Sequence, residues 1–180
     1  HDVFEHNAAN TAENNNARSL IAVSAPDLRV TNLTVTASPS LQAGAELTLQ
    51  WATANQGNVS ASGIFYDRII ARNTNTAEVL ANLHLPYNPA VPANGPIPPG
   101  ATRVRSQVVQ LPDGARSIGR IEITVTTDAF DQLTELNGLG TGEANNSTQT
   151  QVTIVTAPYP DLIVTNVIAP PSGKTRQEEL

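Results

Sequence analysis

The sequence predicts an all-β chain folded as an antiparallel β-sandwich of about seven strands. Three observations carry that reading. Apolar and polar residues alternate with a period of two along most of the chain, as half-buried strands require. Asn, Gly and Pro fall between the alternating runs, where turns are needed. No stretch shows convincing helical periodicity.

The strands follow in order. Leu28 and Val30, then Leu33 and Val35, alternate with polar neighbours, and the change of phase at Thr31-Asn32 predicts a β-bulge. Leu47, Leu49, Trp51 and Thr53 form the inward set of the next strand, which ends at the turn signal Asn55-Gln56-Gly57. Ile64 to Ala71 and Val79 to Leu85 are joined by the polar turn Asn73-Thr74-Asn75-Thr76. Val104 to Leu111 and Ile118 to Thr126 flank Pro112-Asp113-Gly114, and Gln149 to Val155 closes the unit. Trp51 is the expected core anchor. The 13 prolines lie largely between strands and are densest from Pro86 to Pro99, which predicts a long surface loop. Arg68, Arg72, Arg103, Arg105 and Arg120 are spread over several strands and read as a solvated sheet face rather than a binding patch.

Composition removes several functions. The absence of Cys excludes disulfides, thiol nucleophiles and Cys-held metals. A net charge of −6 without a basic cluster argues against nucleic acid as a partner. No apolar run approaches the ~20 residues a membrane-crossing helix needs, so membrane insertion is not expected. There is no Met, so the 180 residues are expected to be an internal or processed piece.

The chain also repeats itself. Pro26-Asp27-Leu28-Arg29-Val30-Thr31-Asn32 recurs as Pro160-Asp161-Leu162-Ile163-Val164-Thr165-Asn166, an offset of 134. Asp2-Val3-Phe4-Glu5 answers to Asp128-Ala129-Phe130-Asp131, and Glu13-Asn14-Asn15-Asn16 to Glu143-Ala144-Asn145-Asn146. Three ordered matches divide the chain into the tail of one repeat (1–26), a complete repeat (27–160) and the head of the next (161–180). Pieces as short as the tail and head cannot bury a core alone. They are expected to pack on the central unit or on a neighbouring repeat or chain, by pairing an end strand with an open edge.

Within the complete repeat, Asp27-Leu28-Arg29-Val30-Thr31-Asn32-Leu33, Ala43-Gly44, Ala54-Asn55-Gln56-Gly57 and Asp67-Arg68-Ile69-Ile70 resemble segments of the CARDB family, the cell-adhesion-related domain found in bacteria. Pro98-Pro99-Gly100-Ala101-Thr102 and Leu111-Pro112-Asp113-Gly114 resemble its later turns, and Asp128 through Glu135 to Glu143-Ala144-Asn145-Asn146 its closing signature. Gly138-Leu139-Gly140-Thr141 lengthens the gap between the two glutamates relative to that pattern. The resemblance covers residues 27–156. It implies an immunoglobulin-like sandwich, repeated in large secreted or surface proteins, without catalytic activity.

Oxygen ligands gather in one loop: Asp128, Asp131, Glu135, Asn137, Glu143 and Asn145. Calcium takes six to eight such oxygens from a loop flexible enough to wrap it, and Gly138, Gly140 and Gly142 supply that freedom. Asp128, Asp131, Glu135, Glu143 and Asn145 are therefore the candidate calcium ligands, with Asp2, Glu5, Glu13 and Asn15 as a parallel set in the preceding repeat. The spacing is not that of an EF-hand. The competing reading is a turn whose Asn and Asp side chains bond nearby backbone amides while Glu143 caps a strand end. As a glycosidase pair, Asp128, Asp131 and Glu135 all lie on one loop with no aromatic sugar platform nearby. His1, His6 and His84 lack partners at triad spacing.

The expected function is a non-catalytic spacer or adhesion module of an extracellular or cell-surface tandem-repeat protein or filament, stiffened by calcium. The alternative is an adhesin domain that recognises a glycan or protein through the proline-rich loop at 82–100.

Overall fold

In the computed structural model, residues 8–9 and 24–168 are described. Most of the expected tail and the distal part of the expected head lie outside them, as do Asp2, Glu5, Glu13 and Asn15.

Seven strands form: β1 (Leu28–Ser38), β2 (Glu46–Asn55), β3 (Phe65–Asn73), β4 (Val79–Tyr87), β5 (Thr102–Gln110), β6 (Gly119–Thr126) and β7 (Ser147–Ile154). They make two antiparallel sheets, ordered β1-β2-β5 and β4-β3-β6-β7. Each strand lies where the alternation places one. The only helical elements among the described residues are 3₁₀ turns at Ala115–Ser117 and Gly142–Ala144. The bulge forms as expected. The β1–β2 register slips between Thr31 and Thr34, and Asn32 takes a left-handed φ of 54°. The slip turns Leu33, Val35 and Ala37 back toward the core after Leu28 and Val30.

Between the sheets, Leu47, Leu49, Trp51, Ile69, Ile121, Ile123 and Val125 form the main core. A second cluster, Leu28, Ala61, Phe65, Tyr87 and Ile97, fills one end. The proline-rich loop differs from expectation in where it begins. Asn82 to Tyr87 belong to β4, paired residue by residue with β3, so the loop is residues 88–101.

Register sorts the connections to opposite ends. The β2–β3, β4–β5 and β6–β7 loops and the segment leading into β1 share one end, where Leu28 pairs with Asn55, Phe65 with Tyr87 and Thr126 with Ser147. The β1–β2, β3–β4 and β5–β6 loops share the other, where Ser38 pairs with Glu46 and Gly119 with Ile154. The chain thus enters the sandwich at one end and leaves it at the other. Both crossings are tied down. On the way in, Ala25 and Asn58 exchange hydrogen bonds, Gln56 N–H donates to Asp27 O, and Leu136 N–H donates to Pro26 O. Gly57 makes this closeness possible, because a Cβ there would lie 2.3 Å from Ala25 O. On the way out, Val155 bridges to Gln42, and the Tyr159 hydroxyl bonds the Asp113 carboxylate and accepts Gly114 N–H. Beyond it, residues 161–168 are exposed, Leu162 to 89%.

Candidate functional site

The loop 127–146 leaves β6 and folds across the end where the chain comes in. Its acidic residues are used locally. Asp128 is buried with a left-handed φ of 43°, and its carboxylate accepts the N–H groups of Gln132 at 2.9 Å and Leu133 at 2.8 Å. Asp131, at φ 51°, donates its own N–H to Asp128 O and leaves its side chain exposed. Glu143 Oε1 accepts Glu135 N–H at 2.7 Å. Glu135 reaches furthest: it is 1% exposed, and its Oε2 accepts the N–H of Leu28, the first residue of β1, at 2.9 Å. Asn145 turns to Asp27, donating to its Oδ1 at 2.8 Å, and Asn137 donates to the same carboxylate.

The five expected ligands therefore divide. Asp128, Glu135 and Glu143 come within electrostatic reach of one another, Asp131 points outward, and Asn145 joins Asp27. Among the described residues, no group of three or more Asp, Glu, His or Cys side chains is arranged to hold a metal ion. Backbone N–H groups cap four of the eight carboxylate oxygens of Asp128, Asp131, Glu135 and Glu143. Thr127 Oγ1, Glu135 Oε1, Asn145 Oδ1 and both polar side-chain atoms of Asn146 are buried in this loop without a hydrogen-bond partner.

Electrostatics follow from that crowding. Burial first, and then the nearby charges of Asp128 and Glu143, push the Glu135 carboxyl up to about 8, against the opposing bond from Leu28 and the weaker pull of the neighbouring Asn146 amide. Burial also raises Asp128, opposed by the Leu133 and Gln132 amides and reinforced by Glu143 and Asp131. Sequence reasoning missed Asp27 and Asn146 as members of this cluster. The recurring segment carried the signal for Asp27, since Pro26-Asp27-Leu28 returns as Pro160-Asp161-Leu162.

A second polar cluster lies between the sheets. Asp67 is fully buried, and its Oδ2 accepts Trp51 Nε1–H at 3.1 Å and Arg105 NH1 at 2.8 Å. Burial raises the Asp67 carboxyl, while the Arg105 guanidinium pulls it back. Arg105 also lies over the rings of Trp51 and Tyr87. Expectation is corrected here. Arg105 is not part of a solvated face, because its position opposite Trp51 in the β2–β5 ladder points it into the sandwich. Trp51 is the core anchor expected, with a polar handle as well.

No protein-family model and no curated protein matches the chain. Solved structures do. The CARDB domain of a Pyrococcus furiosus protein, crystallised in complex with di-metal ions, matches at 17% identity and a TM-score of 0.50, over 76% of this chain and 100% of that one. This chain has a CARDB-like fold. The solution structure of the same P. furiosus domain matches at 16% identity and a TM-score of 0.48, over 75% of this chain and 100% of that one. A β-glucosidase from Erythrobacter marinus matches at 13% identity and a TM-score of 0.42, with 72% of this chain but only 16% of the enzyme covered. The CARDB-like sandwich is the extent of these likenesses.

Proposed function

We propose that the chain is a non-catalytic, adhesion-related spacer of an extracellular or cell-surface tandem-repeat protein, in which each sandwich adds a fixed length. One observation carries this: the chain enters at the acidic-loop end and leaves at the opposite end, and both crossings are hydrogen-bonded to the sandwich. β1 has 11 residues, so at ~3.3 Å per residue it spans roughly 36 Å. Pro158 and Pro160 restrict the outgoing backbone around the anchored Tyr159. Asp161-Leu162 repeats the Asp27-Leu28 pair that Asn145 and Glu135 hold here. A following sandwich would seize it in the same way, burying the apolar side chains now exposed at 162–168.

Small-angle scattering on residues 27–160 and on two such units joined in tandem tests this. The maximum dimension of the tandem should approach twice that of the single unit. A side-by-side or broadly variable arrangement counts against the spacer.

Calcium stiffening of the incoming junction is part of the proposal, supported by the unpartnered oxygens of Glu135, Asn145 and Asn146 beside like-charged carboxylates. The P. furiosus domain that shares the fold was solved with two metal ions. Glu135 Oε1, Asn145 Oδ1 and Asn146 Oδ1 would be the ligands free to serve, and Glu143 would join by releasing the Glu135 amide. The adhesin reading also has support. Tyr87 Oη and Arg103 bond the carbonyls of Asn94, Gly95 and Pro96, which fixes the proline-rich loop in advance of any ligand.

A further inference from the structure

We propose that the outer face of the four-stranded sheet binds an acidic saccharide, a pyranose ring bearing a carboxylate, on a platform of Phe130, Tyr66 and His84 flanked by Arg68 and Asn82. The proposal needs only the fold. It relocates the adhesin reading from the proline-rich loop to the sheet, and it stands or falls separately from the spacer.

The aromatic platform is made by the acidic loop. Ala129 N–H donates to Tyr66 O at 2.9 Å, extending β3's hydrogen bonding past its last rung with β6, where Arg68 pairs with Thr126. The left-handed Asp128 and Asp131 bracket the turn and swing Phe130 onto the sheet. Its ring centroid lies 6.0 Å from Tyr66, edge to face, and 5.0 Å from His84. Phe130 nevertheless stays 52% exposed. Two non-Gly residues in a disfavoured backbone region thus hold a large apolar ring half in water. The expectation that no aromatic platform lies beside the acidic loop is corrected, because Tyr66 and His84 arrive from two other strands.

The polar part is equally specific. Arg68 stands opposite His84, and Ile70 opposite Asn82. Arg68 Nε donates to Asn82 Oδ1 at 3.0 Å, which orients both groups. Among the described residues, the two terminal guanidinium nitrogens of Arg68 and the amide nitrogen of Asn82 make no hydrogen bond. They are planar donors beside an apolar shelf. An aromatic face takes the C–H side of a sugar ring, amide and imidazole groups take its hydroxyls, and a guanidinium fork fits a carboxylate. Charge selects the acid. The strand residues beside the platform carry no carboxylate, and the first on this face is Glu122, level with Arg72. Asp131, next to Phe130, is exposed at the loop edge of the platform, outside the strand residues beside Arg68.

Calorimetric titration of the protein with hexagalacturonate, and with maltohexaose as the neutral control, tests the site. Hexagalacturonate should bind and maltohexaose should not. Phe130→Ala and Arg68→Gln should each weaken binding roughly tenfold or more. Arg72→Gln, further along the same face, and Val91→Ser, at the tip of the proline-rich loop, should stay within about twofold. Melting curves should show all four variants folded. The proposal fails if hexagalacturonate does not bind, if both saccharides bind equally, or if Arg72→Gln costs as much as Arg68→Gln, the mark of diffuse attraction. It also fails if Val91→Ser alone abolishes binding, which would return recognition to the loop.

Discussion

Asp67 and Glu135 are both acidic residues buried almost completely, yet their surroundings are opposite. Asp67 sits between the sheets with a guanidinium at 2.8 Å and an indole N–H at 3.1 Å, both on Oδ2, while its Oδ1 has no partner. Glu135 sits at one end with a single backbone N–H on one oxygen, no partner on the other, and the like charges of Asp128 and Glu143 nearby. Burial alone therefore says little about a carboxylate. What replaces its lost hydration differs: an arginine and an indole oppose the upward push of burial at Asp67, and a proton neutralises Glu135 until some cation takes the proton's place.

The sharpest break comes from removing the arginine. Arg105→Ala should destabilise the fold by about 3 kcal/mol or more, since it leaves Asp67 buried without its cation. Combining it with Asp67→Asn should recover part of that loss while keeping an acceptor for Trp51. Denaturant unfolding measures both. If the double variant is no more stable than Arg105→Ala alone, the pair is not the source of the cost.

Glu135 should respond to pH in place of mutation of a partner. The folded protein keeps this proton up to about pH 8, whereas the unfolded chain releases it near the ordinary value of 4.5. Between those limits the folded state holds more protons. Its contribution to stability is complete below the lower limit and is lost as pH rises through the upper one, at no more than about 1.4 kcal/mol per pH unit. Glu135→Gln should flatten that part of the profile and leave stability near pH 5 almost unchanged. A Gln variant with the same slope as the parent would locate the titration elsewhere.

The smallest effect is expected from calcium, which would give Glu135 what Arg105 gives Asp67. At pH 8, calcium should raise the melting temperature by a few degrees over chelator, and Glu143→Ala should abolish the rise. Superimposable melting curves would leave the acidic loop as a purely hydrogen-bonded clamp.

Much of the fold was legible because its signals are local. The phase change at Thr31-Asn32 gave the bulge, Asn55-Gln56-Gly57 gave a turn, and the inward alternation around Trp51 gave the core. The loop at 82–100, set by proline density, overlaps the apolar run Val79 to Leu85, and the strand prevails through Tyr87, past Pro86. Pro86 is tolerated in β4, an edge strand of its sheet. The candidate site was legible as a composition but not as an arrangement. Asp128, Glu135 and Glu143 are near one another in sequence and in space. Leu28 and Asp27, which Glu135 and Asn145 hold, lie more than a hundred residues earlier.

By itself the sequence determined the number and place of the strands, the recurrence of Pro26-Asp27-Leu28 at 160–162 and the concentration of acid in one loop. Those depend on period-two patterning and turn chemistry, which each act over a few residues. Only the tertiary structure decided that Arg105 points inward to Asp67, that Glu135 holds the start of β1, that Phe130 lies over Tyr66 and His84, and that the chain crosses the sandwich from end to end. Each depends on cross-strand register and on the path of a long loop. Antiparallel pairing brings residues tens of positions apart to within hydrogen-bonding distance, and no local pattern encodes which of them will meet.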